Sequence, residues 1–265
     1  MKKQRADKIH YFQPDWATDQ PNLLAGFSTR HGGVSRAPYN SLNLGFGTED
    51  LQAHVEGNRN TLCHAFDLQP HHLLTVKQVH GNQLLLIDEE NLDLSHFLSL
   101  EADGIITNQV GFLIGVLVAD CLPLLLHDPI HKIVAAVHIG WRGAATGLVG
   151  QTVAAMKSHF GCDPTQIQAA VGPGIAAHRY EVDRPVREAF RLGSGFWDHI
   201  SHEVRLGYWH LDLALSCRLQ LEQAGILPAN TDQIKECTCC HPELFFSYRR
   251  DKGQTGRQLG FIGLR

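Results

Sequence analysis

Between residues 73 and 139, short apolar, β-branched runs alternate with Gly, Pro, Asp and Asn punctuation. That pattern predicts strands over 73–79, 84–87, 104–107, 112–118, 122–127 and 133–139. Ahead of this block, residues 51–66 place Leu51, Val55, Leu62 and Phe66 near helical spacing. Beyond Gly143 the period changes. Residues 144–160 are Ala-rich and carry Leu148, Val149, Val153 and Met156, with Gly161 suited to close a helix. A further strand is expected over 167–171, and helices over 186–192 and 211–224, the second stopped by Gly225 with Pro228 beyond. In the centre, strand follows strand without helical crossovers, which disfavours a doubly wound parallel sheet. The expected fold is α/β (α+β) with mixed sheets. No repeat, low-complexity tract or Pro/Ser-rich linker interrupts the chain, so residues 1–265 are read as one domain.

Composition narrows the field. The chain has 265 residues, 43% hydrophobic and 19% charged, an ordinary globular balance with length enough for a substantial core. A net charge of −4, with scattered Lys and Arg, argues against a nucleic-acid binder. No apolar run approaches the roughly 18 residues a membrane helix needs. The basic opening lacks the apolar core of a secretory signal, so a cytoplasmic location is expected. Seven cysteines, at Cys63, Cys121, Cys162, Cys217, Cys237, Cys239 and Cys240, are odd in number and irregular in spacing. Reduced thiols fit that pattern better than a disulfide frame. With 17 histidines present, composition cannot select ligands.

Spacing points to four polar, glycine-containing segments. Residues 27–35 (FSTRHGGVS) and 39–45 (YNSLNLG) offer Arg30, Ser35 and Asn43 as side-chain donors. Lys77-Gln-Val-His-Gly81 puts a His–Gly pair at a strand end. Val118-Ala-Asp-Cys-Leu-Pro123 sets Asp120 and Cys121 between two apolar strands, where an unpaired charge is costly and Pro123 implies a bend. Val137-His-Ile-Gly-Trp-Arg-Gly143 joins a strand to a helix start, where backbone N–H groups and Arg142 favour an anion and Trp141 offers a flat wall. Taken alone, each segment also reads as ordinary structure. Combined, one Cys and two His at strand ends make a three-ligand set that leaves a fourth position open, as catalytic zinc sites do. The same donors suit copper. They also suit a Cys-nucleophile hydrolase, and spacing does not separate these readings. In the tail, Cys237-Thr-Cys-Cys-His241 and the Arg249/Arg250/Lys252 group suggest a second metal site and an anion clamp.

Seven blocks in order (FSTRHGGVS, YNSLNLG, KQVHG, VADCLP, VHIGWRG, VGPGI and the tail CT, FFSYRRD, TGR) resemble the signature of the YfiH family of purine nucleoside phosphorylases. That family was once labelled polyphenol oxidase or laccase-like. The resemblance runs from about residue 20 to the C-terminus. It implies a layered α/β/β/α domain and a catalytic zinc centre on His80, Cys121 and His138. The implied activity is phosphorolysis of adenosine, inosine and methylthioadenosine, with adenosine deamination beside it. Its partners are then a purine nucleoside and phosphate, and a monomer is expected. Two alternatives go with the family: a Cys/His hydrolase that edits peptidoglycan precursors, and a copper-dependent phenol oxidase. For phosphorolysis, Arg30, Arg142 and Arg249 are the expected phosphate ligands, since guanidinium forks match its oxygens. Asn43 and Gln78 are expected to hydrogen-bond the nucleoside. The base-deaminase signature that pairs HxE with PCxxC is absent, since no PCxxC occurs, as are the HxH runs of multicopper centres. His31, Cys239 and Cys240 depart from the family pattern.

Overall fold

The computed structural model of the chain describes residues 1–88 and 94–265, and the side chains of all of these except 94–96. It opens with β1 (Lys2–Ala6), β2 (Ile9–Gln13) and β3 (Leu23–Ser28), followed by α1 (Gln52–Ala65) and β4 (Leu73–Leu74). The centre holds β5 (Leu84–Ile87), β6 (Gly104–Thr107), β7 (Leu113–Val118), β8 (Leu122–Asp128) and β9 (Ile133–Ile139). Then come α2 (Trp141–Ala145), α3 (Leu148–Phe160), β10 (Gln168–Val171), β11 (Glu181–Asp183) and α4 (Arg184–Leu192). The chain finishes with α5 (Trp197–Ile200), β12 (Ser201–Arg205), β13 (Tyr208–Leu211), α6 (Leu213–Gln223), β14 (Thr231–Gln233) and β15 (Gln258–Leu264).

Among the described residues three sheets result. The first has the order β1-β2-β3-β15-β7-β4 and is antiparallel except at its β7–β4 edge. The second, β14-β10-β8-β9-β6-β5, is antiparallel in the middle and parallel at both edges. A small antiparallel sheet, β11-β13-β12, stands beside them. Both large sheets are mixed, as the run of strands without helical crossovers implied.

Strand periodicity explains the layering. On β8, Leu125 points into a core shared with the first sheet, while Leu122, Leu124 and Leu126 point to the helices. On β9, Val134 and Ala136 face the sheet interface, whereas Ile133, Ala135, Val137 and Ile139 face the helices α3 to α6. The first sheet divides in the same way. Ala25, Phe27 and Ile262 pack inward, and Leu24, Leu259 and Phe261 pack against Leu62, Cys63 and Phe66 on and just after α1. Strands covered on both faces read as continuous apolar runs, which is how β8 and β9 look in the sequence. The order of layers is α/β/β/α.

Several expectations change in detail. The strand expected over 73–79 stops at Leu74. Beyond it the Gln78 side chain takes over the pairing, donating to Leu117 O (2.8 Å) and accepting from Leu117 N (2.7 Å). The helix expected over 144–160 begins earlier, at Trp141, and is cut in two where Gly147 turns left-handed (φ +77°). Gly161 closes α3 as expected, at φ +72°. The N-terminal strands and β15 were not foreseen, although β15 sits in the middle of its sheet between β3 and β7. Gly260 and Gly263 disguised it as a loop. Gly260 is there for space: a Cβ on it would lie 2.5 Å from Pro123 Cβ, on the opposite sheet. Among the described residues no helix is long and apolar enough to cross a membrane.

Gly260→Ala is therefore expected to force the sheets apart locally and to cost about 1–3 kcal/mol, as overpacking of a close-packed core does. Urea denaturation of the purified variant against the parent checks this.

Candidate metal centre and its cleft

The chain crosses from the first sheet to the second twice at the same end of the molecule. One crossing is the segment 75–83 between β4 and β5. The other is the short link Ala119–Cys121 between β7 and β8. His80 lies on the first and Cys121 on the second. His138, near the end of β9, pairs with Pro123 on β8 and so falls beside both. One ligand atom from each of the three lies within 4.8 Å of the other two. The two imidazoles meet edge to face, with centroids 4.7 Å apart at 89°. Gly140 leaves the space these donors occupy. A Cβ there would stand 3.2 Å from His80 Cδ2, 3.4 Å from Cys121 Sγ and 3.7 Å from His138 Cε1.

Both crossings hold a residue in the left-handed region, His80 at φ +58° and Asp120 at φ +91°. For residues with a Cβ this conformation costs roughly 1–3 kcal/mol and persists only where the surroundings enforce it. Here the enforcing contacts are visible. Asp103, fully buried, accepts hydrogen bonds from the backbone N–H of Val79 (3.3 Å), His80 (3.0 Å) and Gly81 (2.6 Å). The same carboxylate binds His138 Nδ1 at 2.8 Å. Asp120, whose charge looked uncomfortable among apolar strands, accepts from Thr238 Oγ1 and from Arg249 N, each at 2.6 Å.

Asp103 also fixes the chemistry of His138. With Nδ1–H donated to the carboxylate, Nε2 is the nitrogen left to face Cys121, the arrangement that orients metal-bound histidines. Burial disfavours the Asp103 charge, but hydrogen bonds from His138 and Gly81 outweigh it and hold its pKa below the usual value. Burial likewise pushes the Cys121 thiol up, yet His138 and His80 overcome that and bring it down to about 6. His138 moves the opposite way, to about 9, because the charges of Cys121 and Asp103 exceed the cost of burying it. The thiolate is therefore favoured at neutral pH, the form that both ligates metals and attacks carbonyls.

His80, Cys121 and His138 form part of the lining of a cleft of about 1160 Å³. Its cations are Arg142, Arg249, Arg257 and the outlying Lys77. Arg142 lies 4.3 Å over Trp141, and its guanidinium makes no hydrogen bond to the described residues. Arg249 lies 5.2 Å over Tyr180 and donates to Glu181 O (3.0 Å). Arg257 lies 5.8 Å over Tyr248 and is anchored on Thr255 O and Gly256 O, both 2.9 Å. Burial first, and then the negative charge of Cys121, keep the Tyr180 phenol protonated well beyond its usual range.

The sequence-derived set is only partly assembled here. His80, Cys121, His138, Gln78, Arg142 and Arg249 line the cleft, whereas Arg30 and Asn43 do not. Arg30 spends its fork on Asn40 O (2.7 Å) and Pro242 O (2.8 Å) and covers Phe246, clamping two loops together. Asn43 is fully buried, and its amide is committed to Thr48, Asp50, Gly45 N and Arg257 N. Gln78 reaches the cleft with its amide already bound to Leu117 at both ends. Asp103, Gly140, Tyr180 and Arg257 were missed. Arg257 had a signal, since it ends the TGR block. Asp103 had a weaker one, a single acid directly before an apolar strand. The anion pocket expected at the helix start is slight, since α2 is only five residues long.

A thiolate and two imidazoles match the donors zinc prefers. A copper electron-transfer site would add a weak axial ligand such as Met or Gln. Met156 is buried in the helical core and the Gln78 amide is already taken. His80 and His138 are the only histidines among the described cleft residues, too few for a multicopper cluster. A second converging group, Asp128, His131 and Cys162, lies at the far end of the β8–β9 hairpin. There Asp128 closes the turn by accepting from Ile130 N and His131 N.

A family model described as multi-copper polyphenol oxidoreductase laccase matches residues 24–265. Purine nucleoside phosphorylase YfiH of Escherichia coli (strain K12) is 38% identical over 256 residues, 95% of this chain and 97% of its own length. Purine nucleoside phosphorylase YlmD of Bacillus subtilis (strain 168) is 33% identical over 258 residues, 95% of this chain and 93% of its own. The crystal structure of Bacillus licheniformis hypothetical protein YfiH superposes with a TM-score of 0.90 at 31% identity, covering 98% of each chain.

Two outcomes follow from this geometry. Asp103→Asn should weaken zinc binding by about 10–100-fold, the usual loss when a ligand's orienting partner is changed, as measured by competition with a chromophoric chelator. In metal-stripped protein, Cys121 should alkylate readily at pH 7 and progressively more slowly as the pH falls through about 6. Cys63, Cys162 and Cys217, pushed up to about 11 or 12 by burial, should stay unreacted while the fold holds, as read by peptide mass mapping.

Proposed function

Because the chain belongs to this family of multi-copper polyphenol oxidoreductase laccases, alongside proteins named YfiH and YlmD, we propose that it is a zinc-dependent purine nucleoside phosphorylase. The observation that carries this reading is one cleft holding a Cys/His/His centre, three guanidinium groups and several aromatic faces. Adenosine, inosine and methylthioadenosine are its expected substrates, with adenosine deamination as a side activity. The reading takes the protein as a cytoplasmic monomer with one catalytic domain over residues 1–265.

Phosphorolysis breaks the glycosidic C–N bond and forms a C–O bond from the anomeric carbon to phosphate. The cleft must therefore hold an anion against the sugar and return a proton to the departing purine. Arg142 is the most available cation, with no partner for its fork among the described residues and its plane set by Trp141. Arg249 and Arg257 each keep part of their forks for the phosphate oxygens. Trp141, Tyr180 and Tyr248 offer flat faces for the base. Tyr180, kept protonated, is the group we assign to donate to the purine nitrogen as the bond loosens. Asn43 acts at one remove, by holding the backbone of Arg257. A zinc ion on His80, Cys121 and His138 would supply a Lewis acid on the wall of this cleft.

A second reading rests on the chain Cys121–His138–Asp103. A depressed thiol, a base and a carboxylate that orients that base are the parts of a cysteine hydrolase. Peptidoglycan precursors are the substrate class attached to that reading.

Zinc-replete protein incubated with adenosine should yield adenine and ribose 1-phosphate only when phosphate is present. Inosine formed in either case would mark deamination. Cys121→Ala should abolish turnover. Arg142→Ala should raise the KM for phosphate by about 10-fold or more, the loss expected for one hydrogen bond to a charged group. Turnover that survives chelators and is blocked by covalent trapping of Cys121 would replace this reading with the hydrolase.

A further inference from the structure

The tail motif Cys237-Thr-Cys-Cys240 takes no part in the chemistry above. In the fold it is a single turn, closed by Cys240 N and His241 N on Cys237 O at 3.2 and 3.1 Å. A turn of this kind brings its first and fourth Cα atoms within about 7 Å, close to the span a disulfide bridges. The turn sets the two thiols within reach of each other. Their surroundings differ sharply. Cys237 is buried, and its sulfur accepts from Ala176 N at 3.2 Å. Cys240 is half-buried, with Sγ 3.4 Å from His178 Nε2 and the exposed Arg179 guanidinium close enough to act on it electrostatically. Among the described residues these thiols do not join His178 in a three-donor group of the kind seen at Cys121. A dithiol fits the geometry better than a metal site.

We propose that Cys237 and Cys240 form a reversible disulfide site, with Cys240 as the attacking sulfur and Cys237 as the resolving one. Cys240, the more exposed of the two and flanked by His178, attacks as its thiolate one sulfur of a low-molecular-weight disulfide. That S–S bond breaks, one small thiol leaves, and a mixed disulfide stands on Cys240. Cys237 then loses its proton and attacks Cys240 Sγ, releasing the second small thiol. Two electrons pass from the protein thiols to the small disulfide, and one intrachain S–S bond is gained. The turn is tied to the metal centre through Thr238, whose hydroxyl holds Asp120, the neighbour of Cys121. Thr238 is itself gripped by Gly174 O (3.0 Å) and by Arg250 Nη1 (2.8 Å). Tightening the turn therefore acts on the crossing that carries the metal ligand.

The test reads thiols, so its result is independent of the proposed activity. Full-length protein is incubated with oxidised glutathione, its remaining thiols are alkylated after denaturation, and the peptides are mapped by mass. The expected product is a Cys237–Cys240 disulfide that dithiothreitol reverses. Cys237→Ser should accumulate a glutathione adduct on Cys240, while Cys240→Ser should leave Cys237 unmodified. The proposal is overturned if both cysteines of the parent protein are recovered alkylated, or if Cys240 pairs with Cys239. The parent mapping needs no substitution, so poor folding of a variant does not obscure the answer.

Discussion

The carboxylate of Asp103 is the interaction on which the site depends. It has no solvent contact, and it accepts from three consecutive backbone N–H groups and one imidazole. The three N–H groups belong to the turn that carries His80, and the imidazole is His138. One buried charge thus fixes two of the three ligands relative to each other and selects the nitrogen that His138 presents. An ionised carboxylate without partners would be expelled from this interior or neutralised there. The turn and the imidazole are what make the charge tolerable, and the charge in turn makes the turn rigid.

The third ligand is fixed by the other crossing. Asp120 is strained, and its side chain ties the link between β7 and β8 to the C-terminal segment at Thr238 and Arg249. Strain of this kind lasts only where packing overdetermines the backbone. Phe27, Pro123, Gly172 and Gly260 provide that packing just inside the site, where the absence of two Cβ atoms lets the sheets approach. The core at this end of the molecule and the metal centre are one construction.

Charge is distributed with the same economy. The chain as a whole carries −4, yet its cleft is lined by three arginines spread over aromatic rings. Stacking holds each guanidinium plane without consuming its donors, which leaves hydrogen-bonding capacity for an anionic ligand. Arg30 and Arg59 show the other use of the residue. Their forks are spent on backbone carbonyls, and Arg59 on Thr75 as well, so they brace loops. Sequence cannot tell these uses apart, because the carbonyls that occupy a fork come from segments far from the arginine in the chain.

The sequence alone determined most of the central strands, the helix ends at Gly161 and Gly225 and the mixed character of the sheets, and it put forward the three candidate ligands. Each of these is written locally, as an apolar period, a helix-ending glycine or a His or Cys at a strand end. Tertiary structure decided the rest. That β15 belongs in the middle of a sheet depends on its pairing with β3 and β7, both far earlier in the chain. That Asp103 orients His138, and that Gly140 leaves room for the donors, depends on contacts between segments far apart in the chain. Arg30 and Asn43 looked like ligands because their polar groups were visible, while the partners that occupy those groups were not. A side chain's chemistry is legible in one dimension, but whether its hydrogen-bonding capacity is free or already used is settled only when the chain folds back on itself.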